Sequence, residues 1–132
     1  MAQMLKSVLI ADDDPVVRST VLTYLGARGM RVMVAQDSMQ ASMVSLRDPS
    51  PDIVLLDIKM PGGSGMEVLR RVRNSSKTAA MPVIVVSAAT DPNLPIEAKI
   101  AGANDFMAKP IDLDCLYLRI CELLNIPPRN KV

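Results

Sequence analysis

Five times along this chain of 132 residues, a short apolar run ends on a polar residue and hands over to side chains at helical spacing. The runs are 7–11, 31–35, 53–56 ending on Asp57, 82–86 ending on Ser87, and 105–108 ending at Lys109. Segments this short and this apolar read as strands, and strand–helix alternation repeated five times predicts a parallel sheet with helices on both faces.

The runs also order the sheet. Residues 53–56 and 83–86 are apolar throughout, as strands covered on both faces are, whereas 31–35 is more polar and fits an edge. The expected architecture is α/β: a doubly wound, five-stranded parallel sheet of order 2-1-3-4-5, flavodoxin-like, in three αβα layers. Its switch point lies between strands one and three. Ligands of such sheets bind outside the carboxyl ends of the strands, so Asp12, Asp13 and Asp57 are expected side by side.

Asp14 before Pro15 reads as an N-cap and first helical position, followed by Val17, Val21, Leu22 and Leu25, with Gly26 or Gly29 closing helix one. Asp37 and Ser38 offer a cap for a second helix carrying Met39, Met43, Val44 and Leu46, stopped at Asp48-Pro49-Ser50-Pro51. A third helix over 66–73 turns Val68, Leu69 and Val72 inward and its arginines outward. Pro92 and Pro95 predict that helix four begins late, at 96–101. Leu113, Leu116, Tyr117, Ile120, Leu123 and Leu124 define an amphipathic fifth helix. Residues 1–125 then form one domain, and 126–132 a polar, Pro-containing tail or linker remnant.

Composition narrows the function. Fifteen basic against 14 acidic side chains give a net charge of +1, which supplies no general pull toward nucleic acid or membrane. Aromatics are 2% of the chain, too few for the stacking platforms that bind single strands. Histidine is absent, which removes the commonest transition-metal ligand and general base. Cys115 and Cys121, six apart, match neither a redox pair nor a zinc knuckle and read as packing residues, as do Met30, Met33, Met39 and Met43 in core gaps or on helix faces. No apolar run approaches a membrane span, and a reducing cytoplasm is the expected location.

Carboxylates converging from the first and third strand ends raise one another's proton affinity, so something positive has to join them. Oxygen-only ligands suit a hard cation; Mg²⁺ fits a shallow site that leaves waters and phosphate oxygens bound, while Mn²⁺ or Ca²⁺ remain open on ligand type. Ser87 and Lys109, closing strands four and five, bring a hydroxyl and an ammonium to the same crevice. A carboxylate flanked by a cation, a hydroxyl and a lysine has the parts that phosphoryl transfer needs.

These residues carry a resemblance. Leu9-Ile-Ala-Asp12-Asp13-Asp-Pro15, Ile53-Val-Leu-Leu-Asp57-Ile-Lys-Met-Pro61-Gly, Val83-Ile-Val-Val-Ser87-Ala88 and Gly102-Ala-Asn-Asp-Phe106-Met-Ala-Lys109-Pro110 resemble, in order, the four motifs of the response-regulator receiver domain of two-component signalling. The resemblance spans the chain from Lys6 to Leu124. It implies a signalling module and not a metabolic enzyme: Asp57 takes a phosphoryl group from the phosphohistidine of a histidine kinase or phosphotransfer protein. It further implies Mg²⁺ held by Asp12, Asp13, Asp57 and the Lys59 carbonyl, phosphoryl oxygens bound by Ser87 and Lys109, and a cis peptide at Pro110. Ser87 and Phe106 would be the switch residues, signalling through helix four, strand five and helix five to an effector, as a monomer or a phosphorylation-dependent homodimer.

Three positions depart from the family pattern. Phe106 stands where a Tyr is frequent, Ser64 where an Asp often precedes the Gly65 position, and two turn prolines precede helix four. Other classes fit less well. A haloacid-dehalogenase-like phosphatase wants a second Asp at the position of Lys59, and a flavodoxin-like electron carrier wants neutral donors where Asp12, Asp13 and Asp14 stand. A pseudo-receiver would lack the acceptor or the acidic pair. Neither DNA binding by this segment nor a membrane anchor is expected.

Overall fold

The computed structural model describes residues 5–88 and 91–129. In chain order its elements are β1 (Ser7–Ala11), α1 (Pro15–Gly26), β2 (Arg31–Ala35), α2 (Ser38–Leu46), β3 (Ile53–Asp57), α3 (Gly65–Asn74), β4 (Val83–Ser87), α4 (Leu94–Ile100), β5 (Asp105–Ala108) and α5 (Leu113–Leu124). The sheet order is β2-β1-β3-β4-β5, with every pair parallel. This is the doubly wound, flavodoxin-like architecture.

Alternation along each strand builds two cores. Leu9, Val54, Leu56, Val83 and Val85 face one layer with Val68, Leu69 and Val72 of α3 and Ala98 of α4. Val8, Ile10, Ile53, Leu55, Ile84 and Val86 face the other, against Val21 and Leu25 of α1 and Leu116 and Ile120 of α5. All five positions of β3 and of β4 are buried. A strand covered on both faces has no solvent side to spend on polar residues, which is why these segments are uninterrupted apolar runs.

Helix ends follow local chemistry. Asp14, Asp37, Ser64 and Asp112 each accept a backbone N–H in the first turn of α1, α2, α3 and α5. Of the two glycines expected to close α1, Gly26 is its last residue and Gly29 takes the left-handed conformation, φ +85°, that turns the chain into β2.

Several expectations are corrected. α4 starts at Leu94 with Pro95 in its first turn, where the missing N–H costs nothing, and not at residue 96. Leu22 and Cys115 are exposed, while Cys121 is buried. Helix two presents Met39 and Met43 to solvent and buries Ser38, Ala41, Ser42 and Ser45 instead. Arg73 does not point outward with its neighbours. Its Nε donates to the Gly102 carbonyl at 2.9 Å and its two terminal nitrogens to the Met81 carbonyl at 2.6 Å and Asn104 Oδ1 at 3.0 Å. Beyond α5, Asn125 takes the αL cap (φ 58°), Ile126 packs against the α1–α5 core, and the Arg129 N–H donates to the Tyr117 hydroxyl at 2.9 Å. The stretch 126–129, expected as a loose tail, lies back along the domain.

Candidate functional site at the carboxyl edge

Asp12 directly follows β1 and Asp57 ends β3, so the pairing of these two central strands sets their carboxylates side by side. Both residues are nearly closed to water, at 3% and 5% exposure, whereas Asp13 is exposed. Asp12, Asp13 and Asp57 each offer a carboxylate oxygen, and these oxygens lie within 4.8 Å of one another. Asp12 is steadied locally: its Oδ1 accepts the Asp14 N–H at 2.9 Å, and its carbonyl accepts Arg18 Nη1 at 2.8 Å.

Lys109 arrives from the end of β5. Its Nζ stands 2.7 Å from Asp12 Oδ2 and 3.0 Å from Asp57 Oδ2, bridging the two buried carboxylates. The other Asp57 oxygen, Oδ1, accepts the Lys59 N–H at 3.1 Å. Ser87 ends β4 at 1% exposure, and its carbonyl accepts the Lys109 N–H at 2.8 Å, which fixes the two strand ends together. The Lys109–Pro110 peptide is cis. Phe106 sits mid-β5, partly buried against the α4 side of the core, and lines a cavity of about 260 Å³ with Pro95, Lys99 and Asp105.

The turn after β3 is tightened by glycine. Lys59–Met60 pairs antiparallel with Gly63–Ser64, and Gly65 opens α3 against the end of β3. A Cβ at Gly65 would run into the Asp57 carbonyl oxygen, so only glycine lets α3 begin this close to the strand tip. Arg18 and Gly65 are site-supporting residues that sequence reasoning missed. Arg18 carries no distinguishing signal beyond a basic residue one turn into the helix after the acidic cluster, and Gly65 only its place at the end of a glycine-rich turn.

The electrostatics are unequal. Burial pushes the Asp57 carboxyl above the ordinary carboxylate range; the hydrogen bonds from Lys109 and the Lys59 amide pull it down without prevailing, and Asp12 adds to the rise. For Lys109, burial disfavours the ammonium, but hydrogen bonds to Asp12 and Asp57 outweigh it and hold the group above its usual value. Lys109 is therefore firmly charged. Three carboxylates beside one ammonium make an acidic, all-oxygen donor set, which matches a hard divalent cation in ligand chemistry.

A family model described as the response regulator receiver domain matches residues 8–121. The chain belongs to the response regulator receiver domain family. Among curated relatives, this receiver is 36% identical over 114 residues to the KDP operon transcriptional regulatory protein KdpE of Escherichia coli K12, covering 86% of this chain and 49% of that one. It is 32% identical over 117 residues to Protein PilH of Pseudomonas aeruginosa, covering 89% of this receiver and 96% of PilH. The crystal structure of a putative response regulator from Chloroflexus aurantiacus superposes with a TM-score of 0.86 at 30% identity, covering 92% of this receiver and 99% of that chain. The receiver spans about half the length, or less, of the first curated relatives it matches, and about the full length of PilH. Receiver domains of two-component systems are signalling modules rather than metabolic enzymes. No helix among the described residues is long and apolar enough to cross a membrane.

Proposed function

We propose that this receiver takes a phosphoryl group from the phosphohistidine of a histidine kinase or phosphotransfer protein onto Asp57, in the cytoplasm, and passes the signal on through α4, β5 and α5. The observation that carries the reading is the Lys109 ammonium bridging Asp12 and Asp57 with Asp13 alongside. Residues 1–125 would be the phosphoacceptor unit, with 126–129 folded back against it.

In the reaction a carboxylate oxygen of Asp57 forms a bond to phosphorus as the P–N bond of the phosphohistidine breaks, and the departing imidazole keeps the electron pair. The bonds from Lys59 N–H and Lys109 Nζ hold the Asp57 carboxylate in one orientation before the donor arrives, so little ordering remains to be done at the moment of transfer. Asp12, Asp13, Asp57 and the Lys59 carbonyl are the groups that would hold Mg²⁺, or Mn²⁺ or Ca²⁺ in its place. Such an ion supplies neutralisation of charge on the transferring oxygens. Lys109 supplies the protein's own share of that neutralisation. Next to it, Val16, Thr20, Pro110 and Ile111 line an apolar cleft of about 200 Å³ between α1 and the loop after β5, a contact surface for the donor.

Once phosphorylated, Asp57 carries a dianion that Ser87 Oγ can meet with a charge-assisted hydrogen bond and Lys109 with an ion pair. A swing from 1:99 to 99:1 requires about 5.5 kcal/mol of preference. A bond from Ser87 contributes about 1.5 to 3 kcal/mol of it, so Lys109 and the bound cation have to contribute the rest. Phe106, beside its cavity, is the side chain free to follow Ser87. It moves without a hydroxyl to anchor it.

The deciding measurement is labelling by acetyl phosphate or a histidine kinase in the presence of Mg²⁺. Wild type is expected to acquire one phosphoryl group labile to alkali and hydroxylamine, as an acyl phosphate is, and Asp57→Asn none. Undiminished labelling of Asp57→Asn would place the acceptor elsewhere and overturn the proposal.

A further inference from the structure

At the opposite edge of the sheet, where β1 and β2 begin, the chain encloses a cavity of about 810 Å³ between the end of α1 and the segment after α5. Lys6, Arg28, Arg129, Tyr117, Ile126 and Pro127 are among its lining, and no described Asp or Glu is. Each guanidinium is held by something other than a counter-charge. Arg28 stacks 3.5 Å from the Tyr24 ring centroid, stands 5.7 Å from that of Tyr117, and donates Nη1 to the Tyr24 carbonyl at 3.1 Å. Arg129 is anchored through its backbone N–H on the Tyr117 hydroxyl, and its guanidinium lies on Gly29 so closely that a Cβ there would fall 2.6 Å from Nη1.

The ion pairs among the described residues engage Lys77, Lys109 and Arg119, and none of these three cations. Three positive charges around one volume repel each other just as the three carboxylates do at the far edge, and an anion relieves both guanidinium groups at once. Arg28 commits one of its five N–H groups to the Tyr24 carbonyl, so a fork remains for oxygens. The cavity lies within the range of roughly 300–1,000 Å³ that small-molecule sites occupy, far more than a lone phosphate fills. Tyr117, Ile126 and the two prolines offer the remainder an aromatic edge and an apolar floor.

We propose that this cavity binds a phosphorylated small molecule of nucleotide size, its phosphates held by Arg28, Arg129 and Lys6 and its body packed against Tyr117, Ile126 and the prolines. A ligand there ties the segment leaving α5 to the end of α1, at the edge away from Asp57.

The test is calorimetric titration of the full chain without divalent cations, using ADP and pyrophosphate as probes, on wild type, Arg28→Gln and Arg129→Gln. Saturable binding is expected, tighter for ADP than for pyrophosphate, and weakened about tenfold or more in each variant. Labelling of Asp57 by acetyl phosphate should be unchanged in both variants, which also shows that they fold. Absence of saturable binding at millimolar probe overturns the proposal. So does binding equal in wild type and both variants, which would put the anion outside this cavity, and so does pyrophosphate matching ADP, which would remove the nucleotide-sized occupant.

Discussion

Asp57 carries two demands that conflict. The nucleophilic role proposed for it requires it to be ionised, yet it is almost closed to water and faces Asp12, and its carboxyl holds a proton more tightly than an exposed one. The sign of the consequence follows from linkage. A carboxyl whose folded pKa lies above its unfolded value, about 3.9, contributes stability that is full below that value and lost as pH rises through the folded pKa. At neutral pH, without metal, ionised Asp57 is a net burden on the fold. Asp57→Asn is expected to unfold at a higher temperature than wild type at pH 7, with about 4 °C for each kcal/mol gained, and the gap should close as pH falls toward 4. Added Mg²⁺ should reverse the ranking, since a ligand at a hundredfold excess over its Kd adds about 2.7 kcal/mol to the protein that binds it. Scanning calorimetry across pH, with and without Mg²⁺, measures both. A lower midpoint for the metal-free variant would mean that the Lys109 pair outweighs burial.

At the scale of elements, α3 shows how a periodic reading succeeds for most positions and fails at one. Val68, Leu69 and Val72 are buried as their spacing predicts, and Arg70 and Arg71 are exposed. Arg73, one position past the last buried valine, instead staples the end of α3 to the entries of β4 and β5 through the carbonyls of Met81 and Gly102 and the amide oxygen of Asn104, which in turn accepts the Val83 N–H at 2.9 Å. Burial lowers the proton affinity of this guanidinium, yet the planar fork meets acceptors in several directions at once. Arg73→Ala is expected to cost about 1.5–3 kcal/mol, the range for hydrogen bonds to a charged group, and Arg73→Lys to recover only part of it. Urea unfolding midpoints give the difference. α2 is the converse case. Its methionines mark a helix correctly, but the buried face is made of Ser38, Ala41, Ser42 and Ser45, whose small volume lets α2 pack closely beside α3.

On the scale of the whole domain, burial is concentrated in the middle of the sheet. β3 and β4 are buried at every position and β1 at four of five, while β2 has one fully buried residue and β5 none. The amide protons of β1, β3 and β4 are therefore expected to exchange only on global unfolding, and those of β5 through smaller openings, as the shift proposed for β5 requires. Hydrogen-exchange mass spectrometry under native conditions checks this. Equal protection of β5 and β3 would argue against β5 as the element that moves. The two edges of the sheet also divide the charge: carboxylates collect where β1 and β3 end, guanidinium groups where β1 and β2 begin.

Much of this was legible in the chain itself. Apolar runs closed by polar residues reveal the strands, because alternate burial and two-sided cover leave a local imprint on composition, and the relative polarity of the runs separates central strands from an edge, which fits the flavodoxin-like order. The same reading selects Asp12, Asp13, Asp57, Ser87 and Lys109 as strand-end residues. What it does not contain is which atoms meet. That Lys109 reaches Asp12 as well as Asp57, that Asp13 alone of the three carboxylates faces water, that Arg73 turns inward, and that residues 126–129 return to cover Gly29 all depend on side chains far apart in sequence. Periodicity records whether a position is buried. Its partner across the fold is chosen only when the strands and helices have packed, since that choice rests on distances and directions no local pattern encodes.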